Sequence, residues 1–484
     1  MSGSMARRNG WWLWRRVGWR GDYHRRASET RSTMTATTPP SSAGAADGCD
    51  VLVIGGGPAG STIAALLATQ GRDVVLLEKA HHPRFHIGES LLPANVALFE
   101  ELGVRERVAG IGLPKWGVEF VSPQHAAPSF IEFADAWDKT MPMAWQVRRS
   151  ELDELLFRHA AARGARALEG CRVHRVAFDA AGATVEATMD DGAPRRWRAR
   201  YVVDATGRDT LLAGQFGIKA KNPHHNSAAI FGHFTGARRL EGRREGNISI
   251  FWFEHGWFWF IPLADGSTSV GATCWPRYLK SRDKPLKEFF FDTIALSPAL
   301  AERLHGATLI GDTVFATGNF SYSATRASGP RHLMAGDAYA FIDPVFSSGV
   351  FLAMASAFKG AELVAATLDR PRSAWLARRR YESHMRKGPS EFAWFIYRMT
   401  NPAMRELFMS SQNALRAKEA VLSVLAGDIF GRTPFRASLG VFKLVYYVNT
   451  LRFWRRSWAA WRRRGEQVRD HGAIPGENVA AELH

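Results

Sequence analysis

The sequence predicts an α/β protein that contains an inserted antiparallel β-sheet and ends in a helical region. Three observations lead to this prediction. A strand, a glycine-rich turn, a helix and a second strand follow one another directly after residue 48. Short β-branched and aromatic segments fill residues 222–319, and this composition is typical of strands. After residue 386, apolar side chains recur at helical spacing.

These patterns divide the 484 residues, too many for one small core, into five segments. We expect a disordered basic N-terminal extension (1–48), the first part of the α/β domain (49–221), the antiparallel sheet (222–319), the second part of the α/β domain (320–385), and a C-terminal helical region with a basic tail (386–484). Within the extension, Met34 reads as a more natural start than Met1, because a Pro/Ser/Ala-rich linker follows it.

The net charge of +17 is concentrated in two arginine-rich segments, residues 1–33 and 452–464, which contribute +6 each. The rest of the chain is only mildly basic, so the charge does not favour nucleic-acid binding. The three cysteines lie far apart without metal-binding spacing, which predicts a reduced, cytoplasmic protein and no metal site. Since no run approaches 18 uninterrupted apolar residues, we expect no membrane span.

The glycine-rich turn carries the motif G-x-G-x-x-G at Gly55, Gly57 and Gly60. The first glycine permits a tight turn, the second lets a pyrophosphate approach the backbone, and the third lets the helix pack on the strand. Glu78 ends the next strand, 18 residues after Gly60, where a carboxylate accepts hydrogen bonds from ribose hydroxyls. Together these residues predict a dinucleotide site.

Later segments indicate which dinucleotide is bound. Arg149 lies in a helix that we expect to open near Gln146, the segment YVVDATGRD ends in Ala-Thr-Gly, and Asp337 follows Gly336 after another strand. Over roughly residues 50–430 the chain resembles the FAD-binding fold shared by aromatic hydroxylases, geranylgeranyl reductases and flavin-dependent halogenases. A tightly bound NAD would leave the late Gly-Asp pair unexplained.

The resemblance implies a Rossmann-like FAD-binding domain of the aromatic-hydroxylase (GR2) type, with the inserted sheet facing the substrate. It also implies that the residues of this chain that match the family's FAD-binding positions contact FAD: Gly55, Gly57, Gly60, Glu78, Gln146, Arg149, Asp337, Pro344 and Gly349.

The segment WFWFIP matches the W-x-W-x-I-P signature of flavin-dependent halogenases at Trp257, Trp259 and Pro262. Read without the resemblance, it is a strand end with two core tryptophans. In the halogenases, large rings beside the flavin form a barrier that keeps the organic substrate away from it, which disfavours direct hydroxylation. The resemblance therefore implies a flavin–substrate barrier at these residues.

A lysine in GLPKWGVEF, Lys115, matches the halogenase catalytic lysine that follows the GES segment. The surrounding Gly112, Pro114, Trp116 and Gly117 suggest an ordered, partly buried loop rather than an ordinary surface loop. Burial disfavours an ammonium and lowers its pKa. A neutral amine can react with hypohalous acid, whereas an ammonium can donate a hydrogen bond to it and polarise it.

The segment FIDPVFSSGV fits the halogenase motif F-x-x-P-x-x-S-x-G at Phe341, Pro344, Ser347 and Gly349. The apolar segment that follows reads as a helix, and the free N–H groups at a helix start attract anions. The N–H groups of Ser348 and Gly349 are therefore candidates for holding a halide; alternatively, they hold only the flavin edge, as in hydroxylases.

One residue departs from the tryptophan-directed halogenases. In those enzymes a glutamate directly precedes the serine of this motif and helps to activate the indole, whereas this chain has Phe346. An electron-rich ring, such as a phenol, resorcinol or pyrrole, needs less activation. The helical tail also resembles the phenol- and pyrrole-directed branch, whose members act on free molecules or on acyl groups attached to carrier proteins.

The resemblance thus implies a halogenase of antibiotic or pigment biosynthesis that uses halide, O₂ and reduced FAD supplied by a separate flavin reductase. The sequence shows no second glycine-rich βαβ unit for NAD(P)H, in agreement with an external reductase. A single-component monooxygenase or geranylgeranyl-reductase-like enzyme is the alternative, and it would oxidise NAD(P)H unaided.

The tail offers a further alternative, a membrane-surface protein whose flavin fold is only structural. Residues 441–464 form a Trp/Arg-rich amphipathic stretch suited to anionic lipid. Docking of an acidic carrier protein, or a plain solvated basic face, explains the same composition.

Overall fold

The computed structural model describes residues 47–318, 321–410, 414–431 and 434–469. Nearly all of the predicted basic extension (1–48) and the last fifteen residues of the tail therefore lie outside the described residues.

The elements follow in chain order. Before residue 222 they are strands β1 (Asp47–Ile54), β2 (Val74–Leu77), β3 (Leu113–Lys115), β4 (Gly117–Val121), β5 (Ser129–Glu132), β6 (Ala144–Gln146), β7 (Arg166–Leu168), β8 (Cys171–Phe178), β9 (Ala183–Met189), β10 (Pro194–Asp204) and β11 (Lys219–Lys221), with helices α1 (Pro58–Thr69), α2 (Pro93–Leu102), α3 (Arg105–Ile111), α4 (Arg149–Ala162) and α5 (Leu211–Gln215). Up to residue 318 they are β12 (Ala228–Thr235), β13 (Ile248–Phe253), β14 (Gly256–Pro262), β15 (Thr268–Cys274), β16 (Thr308–Leu309) and β17 (Phe315–Gly318), with α6 (Pro276–Lys280), α7 (Leu286–Ala295) and α8 (Pro298–Arg303). The remainder comprises β18 (Tyr322–Ala324), β19 (His332–Met334), β20 (Ala340–Phe341), α9 (Gly349–Asp369), α10 (Ala374–Ile396), α11 (Pro402–Met409), α12 (Ala417–Leu425), α13 (Arg436–Arg452) and α14 (Trp454–Arg469).

The first sheet has the strand order β7-β2-β1-β10-β9-β8, and β19 pairs with the end of β10. β1 runs parallel to both β2 and β10, and its apolar residues are fully buried between the helices on the two faces. α1 packs against α4 and α9. This arrangement places the glycine turn after β1 and the Gly-Asp pair after β19 at the same edge of the sheet, where ligands bind in open α/β folds.

The second sheet differs from the prediction in two respects. Its order is β16-β12-β15-β14-β13-β4-β5, so it includes two strands that precede residue 222. It is antiparallel except for one pair, because β4 runs parallel to β13. β4 and β13 lie 130 residues apart in the chain, and their pairing completes the sheet. Local composition does not reveal such long-range pairing.

Two apolar layers cover the second sheet. The helical region packs on one face, where Trp252, Trp257 and Trp259 belong to the same buried cluster as Phe395 and Phe408. α7 and α8 pack on the other face. Among the described helices, α9 alone has the length and hydropathy of a membrane span, and 61% of its apolar window is buried inside the fold, as in the core helix of a globular protein.

Candidate active site

The glycine turn forms a cradle at the start of α1. Gly55 has a φ of 104°, and a side chain there would meet the Ala205 carbonyl oxygen at 2.3 Å. A side chain at Gly60 would meet the Gly55 carbonyl oxygen at 1.9 Å. Gly57 differs, because the nearest atom to an added Cβ is Arg84 Nη2 at 3.6 Å. Space therefore stays open at the position where a pyrophosphate approaches the backbone.

The first turn of α1 adds to the fit for FAD. No acidic residue and no side-chain cap occupies this helix start, so its N–H groups are available to an anion. Glu78 is buried, and its carboxylate accepts hydrogen bonds from the N–H groups of Gly56 at 2.6 Å and Ala80 at 3.0 Å. The carboxylate is thereby fixed beside the turn, where it can receive the adenosine ribose.

Arg84 is a functional candidate that no sequence motif indicated. Its guanidinium lies 3.6 Å from Glu78 and 3.2 Å from Asp153. Asp153 also accepts from Arg149 at 2.9 Å. Burial opposes the charged form of Asp153, but the two guanidinium groups outweigh it and hold the pKa of this carboxyl below its usual value. One buried carboxylate thus holds both guanidinium groups, and that of Arg84 lies beside Gly57, where the pyrophosphate is expected.

Asp337 lies at the same edge. A side chain at Gly336, which has a φ of 57°, would approach Ala59 of α1 at 3.4 Å, so the Gly-Asp pair follows β19 directly against the glycine-turn helix. Burial raises the pKa of Asp337 to about 6. A hydroxyl-rich chain, such as the ribityl group of FAD, would satisfy this carboxylate by hydrogen bonding.

Gln146 occupies a different environment. The structure places it on β6 rather than at a helix start, and the helix begins at Arg149. Its side chain is fully buried, donates to the Gly246 carbonyl at 2.9 Å, and leaves Oε1 without a partner. Since β6 pairs with β3, Gln146 lies beside the strand of Lys115.

A cleft of about 240 Å³ opens next to Arg149. Phe85, Glu89 and His233 are among its lining residues. Glu89 Oε1 lies 2.8 Å from His233 Nε2. Burial alone would lower the pKa of His233, but the adjacent carboxylate outweighs it and raises this pKa. The cleft is therefore lined by charged groups and aromatic rings together.

The motif turn is held by Asp343. Its Oδ1 accepts from the Val345 N–H at 3.1 Å and caps the single turn of 3-10 helix at Pro344–Phe346. Ser347 then adopts a φ of 56°, and Ser348 is the N-cap residue of α9. No acidic residue and no side-chain cap occupies this helix start, and the Cβ position of Gly349 has no atom within 4 Å.

Phe346 supplies no reactive group to the site. Its ring packs on Phe395, with the two centroids 6.1 Å apart. The carboxylate of this segment is instead Asp343, which is buried and accepts hydrogen bonds from His225 and Ser227, both at 2.9 Å. Sequence spacing does not reveal this cluster, because Asp343 lies in the segment FIDPVFSSGV and His225 lies 118 residues before it.

Lys115 lies on strand β3, not in a loop, and is 1% exposed. Its Nζ donates to Ser90 Oγ at 2.9 Å and to the Leu91 carbonyl at 3.0 Å, and it lies 5.2 Å from the centroid of the Phe133 ring. Burial lowers the pKa of Lys115 to about 7. Ammonium and amine forms are therefore both populated near neutral pH.

The predicted barrier residues share one strand. Trp257 and Trp259 lie two residues apart on β14, so their rings project from the same face, with centroids 6.0 Å apart. Trp259 Nε1 donates to Ser269 Oγ at 3.2 Å, and its ring fills the space beside Gly271, where an added Cβ would lie 2.3 Å away. Pro262 ends the strand.

The described residues contain no cluster of His, Cys, Asp and Glu that could hold a metal ion. Cys49, Cys171 and Cys274 are buried free thiols.

Comparison with known proteins identifies the FAD binding domain family, whose model matches residues 48–388. A flavin-dependent halogenase from Armillaria mellea is 36% identical over 346 residues, which cover 66% of this chain and 68% of the relative. The tryptophan 2-halogenase of Chondromyces crocatus is 33% identical over 401 residues, covering 78% and 73%. The solved myxobacterial chondrochloren halogenase superposes with a TM-score of 0.70 at 30% identity, covering 84% of this chain and 96% of that one.

Proposed function

Because the chain belongs to the flavin-dependent halogenases and uses FAD, we propose that it chlorinates or brominates an electron-rich aromatic ring in antibiotic or pigment biosynthesis. When bound, reduced FAD supplies the two electrons with which O₂ and a halide ion are converted to hypohalous acid and water. We propose that a separate cytoplasmic flavin reductase delivers the reduced cofactor. This chain's own residues carry out the remaining steps.

The buried Lys115 carries the proposal. An ammonium has three N–H donors, and the two acceptors at Ser90 and Leu91 fix two of them. The third can donate to the oxygen of hypohalous acid and polarise its bond to the halogen. A fixed, water-excluded donor contributes far more than a mobile one, because its orientation costs nothing at the moment of reaction.

Two further parts of the site support the proposal. The uncapped start of α9 at Ser348 and Gly349 offers N–H groups to a halide. The buried rings of Trp257 and Trp259 separate the space around the cofactor from the aromatic substrate. Small hypohalous acid can pass such a barrier, whereas a substrate ring cannot.

We propose a phenol, resorcinol or pyrrole as the substrate, either free or attached to an acyl carrier protein. The observation that favours these rings is Phe346, which packs on Phe395 and supplies no carboxylate to activate an indole. Hydroxyl and pyrrole nitrogen lone pairs already activate their rings toward electrophilic halogen.

The purified protein should bind FAD and, without a reductase, oxidise little NADH. With a flavin reductase, FAD, O₂, bromide and resorcinol it should yield a brominated ring, identified by mass spectrometry. A hydroxylated, halogen-free product across several phenols would instead support the monooxygenase alternative. Omission of bromide and chloride is the control, and it should remove the halogenated product without reducing flavin reoxidation.

We propose, in addition, a peripheral attachment to anionic membranes through the last two helices. Half of the fourteen large apolar side chains that are exposed among the described residues lie between residues 444 and 461. Each helix carries them at the spacing of one helical face: Leu444, Tyr447, Val448 and Leu451 at i, i+3, i+4 and i+7 on α13, and Trp454, Trp458 and Trp461 at i, i+4 and i+7 on α14. Exposed arginines flank this face, including Arg455 and Arg462. A tryptophan stripe between cations suits the interface of an anionic bilayer.

The triple change Trp454→Ser, Trp458→Ser and Trp461→Ser should abolish co-sedimentation with phosphatidylglycerol vesicles. These side chains are 57–69% exposed, so the fold should persist. Trp375→Ser, on α10 and also 57% exposed, is the matched control and should sediment like the wild type. Equal binding of wild type to phosphatidylcholine, or no binding to either vesicle, would contradict this attachment. Capture of an acidic carrier protein would support the other interpretation of the tail.

A further inference from the structure

The carboxylate of Asp343 joins two distant parts of the chain. Its Oδ1 accepts from the Val345 N–H at 3.1 Å and caps the turn Pro344–Phe346. Its Oδ2 accepts from His225 Nε2 and from Ser227 Oγ, both at 2.9 Å. Since a carboxylate can only accept, the imidazole carries its proton on Nε2. Two donors that converge on Oδ2 keep the carboxylate from rotating, so Oδ1 stays directed at the turn.

Both of these donors belong to the second sheet. His225 and Ser227 lie just before β12, and their side chains are buried, as Asp343 is. The three residues also line a small cavity of about 20 Å³, which has room for about one water molecule. The carboxylate therefore has no space for a larger ligand on that side, and its hydrogen bonds hold the turn in place.

The turn determines how α9 begins. Ser347 follows it with a φ of 56°, a left-handed conformation that residues with a side chain seldom adopt. Ser348 is the N-cap residue of α9, and Gly349 is its first residue. If the cap on the turn were lost, Ser347 could relax to a more favourable backbone conformation. The N–H groups of Ser348 and Gly349 would then change direction.

We propose that His225 and Ser227 are positioning residues for the halide, an inference that rests on the halide site of the proposed function. Through Asp343 they fix the turn that directs the N–H groups of Ser348 and Gly349. They act without touching the halide, the cofactor or the aromatic substrate. Loss of either donor should therefore weaken halide binding, and a saturating halide concentration should restore the rate of halogenation.

A bromide titration of the FAD-loaded enzyme, followed by the difference absorbance of the flavin, tests this role. Ser227→Ala should raise the dissociation constant for bromide roughly 5-fold and His225→Leu roughly 10-fold, because each removes a donor to a charged group. His225→Gln keeps an N–H donor and should recover most of the affinity. Ser267→Ala is the matched control, since Ser267 is also a buried serine that donates to an aspartate, Asp265, and directly precedes a strand of the same sheet. It should bind bromide like the wild type.

Halogenation of resorcinol at varied bromide concentration is the kinetic counterpart. The KM for bromide should rise by the same factors in Ser227→Ala and His225→Leu, whereas kcat and the affinity for FAD should stay close to those of the wild type. Unchanged bromide affinity in both variants at full FAD content, or a loss confined to kcat, would overturn the positioning role. Equal weakening in Ser267→Ala would overturn it too, since the effect would then belong to the sheet as a whole.

The titration also separates the positioning role from the proposed reaction. The predicted pattern of bromide affinity without any halogenated ring would support the positioning role and contradict the reaction. Halogenation with the same bromide affinity in every variant would support the reaction and overturn the positioning role. Should His225→Leu fail to fold, Ser227→Ala decides the matter, because it removes a single oxygen atom.

Discussion

Gly57→Val is expected to weaken FAD binding at least about 100-fold, equivalent to roughly 2.7 kcal/mol, while leaving the fold intact. The nearest atom to an added Cβ at this position is Arg84 Nη2 at 3.6 Å, an ordinary van der Waals contact, so the backbone does not exclude a side chain here. The methyl groups of valine would occupy the place of the pyrophosphate instead. The measurement is the flavin absorbance of the purified protein together with the affinity for added FAD.

Gly60→Val provides the contrast. Its Cβ would lie 1.9 Å from the Gly55 carbonyl oxygen, so this variant should lose the fold and not only the cofactor. Gly110→Val, where no atom lies within 4 Å of the added Cβ, should retain both. Full flavin content with an unchanged spectrum in Gly57→Val would show that the cofactor does not bind at this turn.

Lys115→Ala is expected to lower halogenation at least roughly 100-fold, the scale of losing one positioned catalytic donor. FAD binding and flavin reoxidation should stay nearly unchanged, because the lysine acts on hypohalous acid after it has formed. Lys115→Met keeps most of the buried stem volume and should fail equally, which separates the loss of the amine from the loss of packing. The rate of halogenated product formation, with the same reductase throughout, is the measurement.

Lys115→Arg should also fail. The planar guanidinium presents its N–H groups in a fixed fork that the acceptors at Ser90 and Leu91 do not match, so no N–H group is held in the place of the third ammonium donor. Near-normal halogenation by the arginine variant would indicate that positive charge alone suffices and that the ammonium geometry has no part in the reaction.

The sequence predicted the parts of this molecule that local patterns encode. The glycine turn, the start of α9 and strand β14 each lie within about ten consecutive residues, and their chemistry follows from the residues themselves. Family membership and FAD as the cofactor are confirmed by the comparisons. The assignment of individual residues to catalysis, halide and flavin contacts stays a prediction.

Local patterns did not predict the long-range contacts. β4 joins β13 although 130 residues separate them, and neither strand's composition encodes that pairing. Arg84 reaches Glu78 and Asp153 because a loop folds back over the glycine turn. His225 and Asp343 are 118 residues apart and meet only in the folded chain. Hydrogen bonding between buried polar groups, rather than sequence spacing, selects these partners.

For Lys115, too, the local pattern predicted less than the tertiary structure determines. Flanking glycines suggested an ordered loop, but the structure has a strand, since Gly112 leaves room for the Trp145 ring and Gly117 for the Ile131 carbonyl. The small residues permit close packing that buries the lysine fully. Its low pKa is therefore a consequence of tertiary packing, which the sequence could indicate but not quantify.

The most direct test of the central claim is a single turnover with stoichiometric reduced FAD, O₂, bromide and resorcinol. The quantity to measure is the amount of brominated resorcinol formed per reduced FAD consumed. The wild type is predicted to give a substantial ratio, and Lys115→Ala to reoxidise the flavin at the same rate with almost no brominated ring. A normal ratio in Lys115→Ala would exclude this lysine as the residue that directs hypohalous acid, and a hydroxylated ring from the wild type would contradict the halogenase mechanism itself.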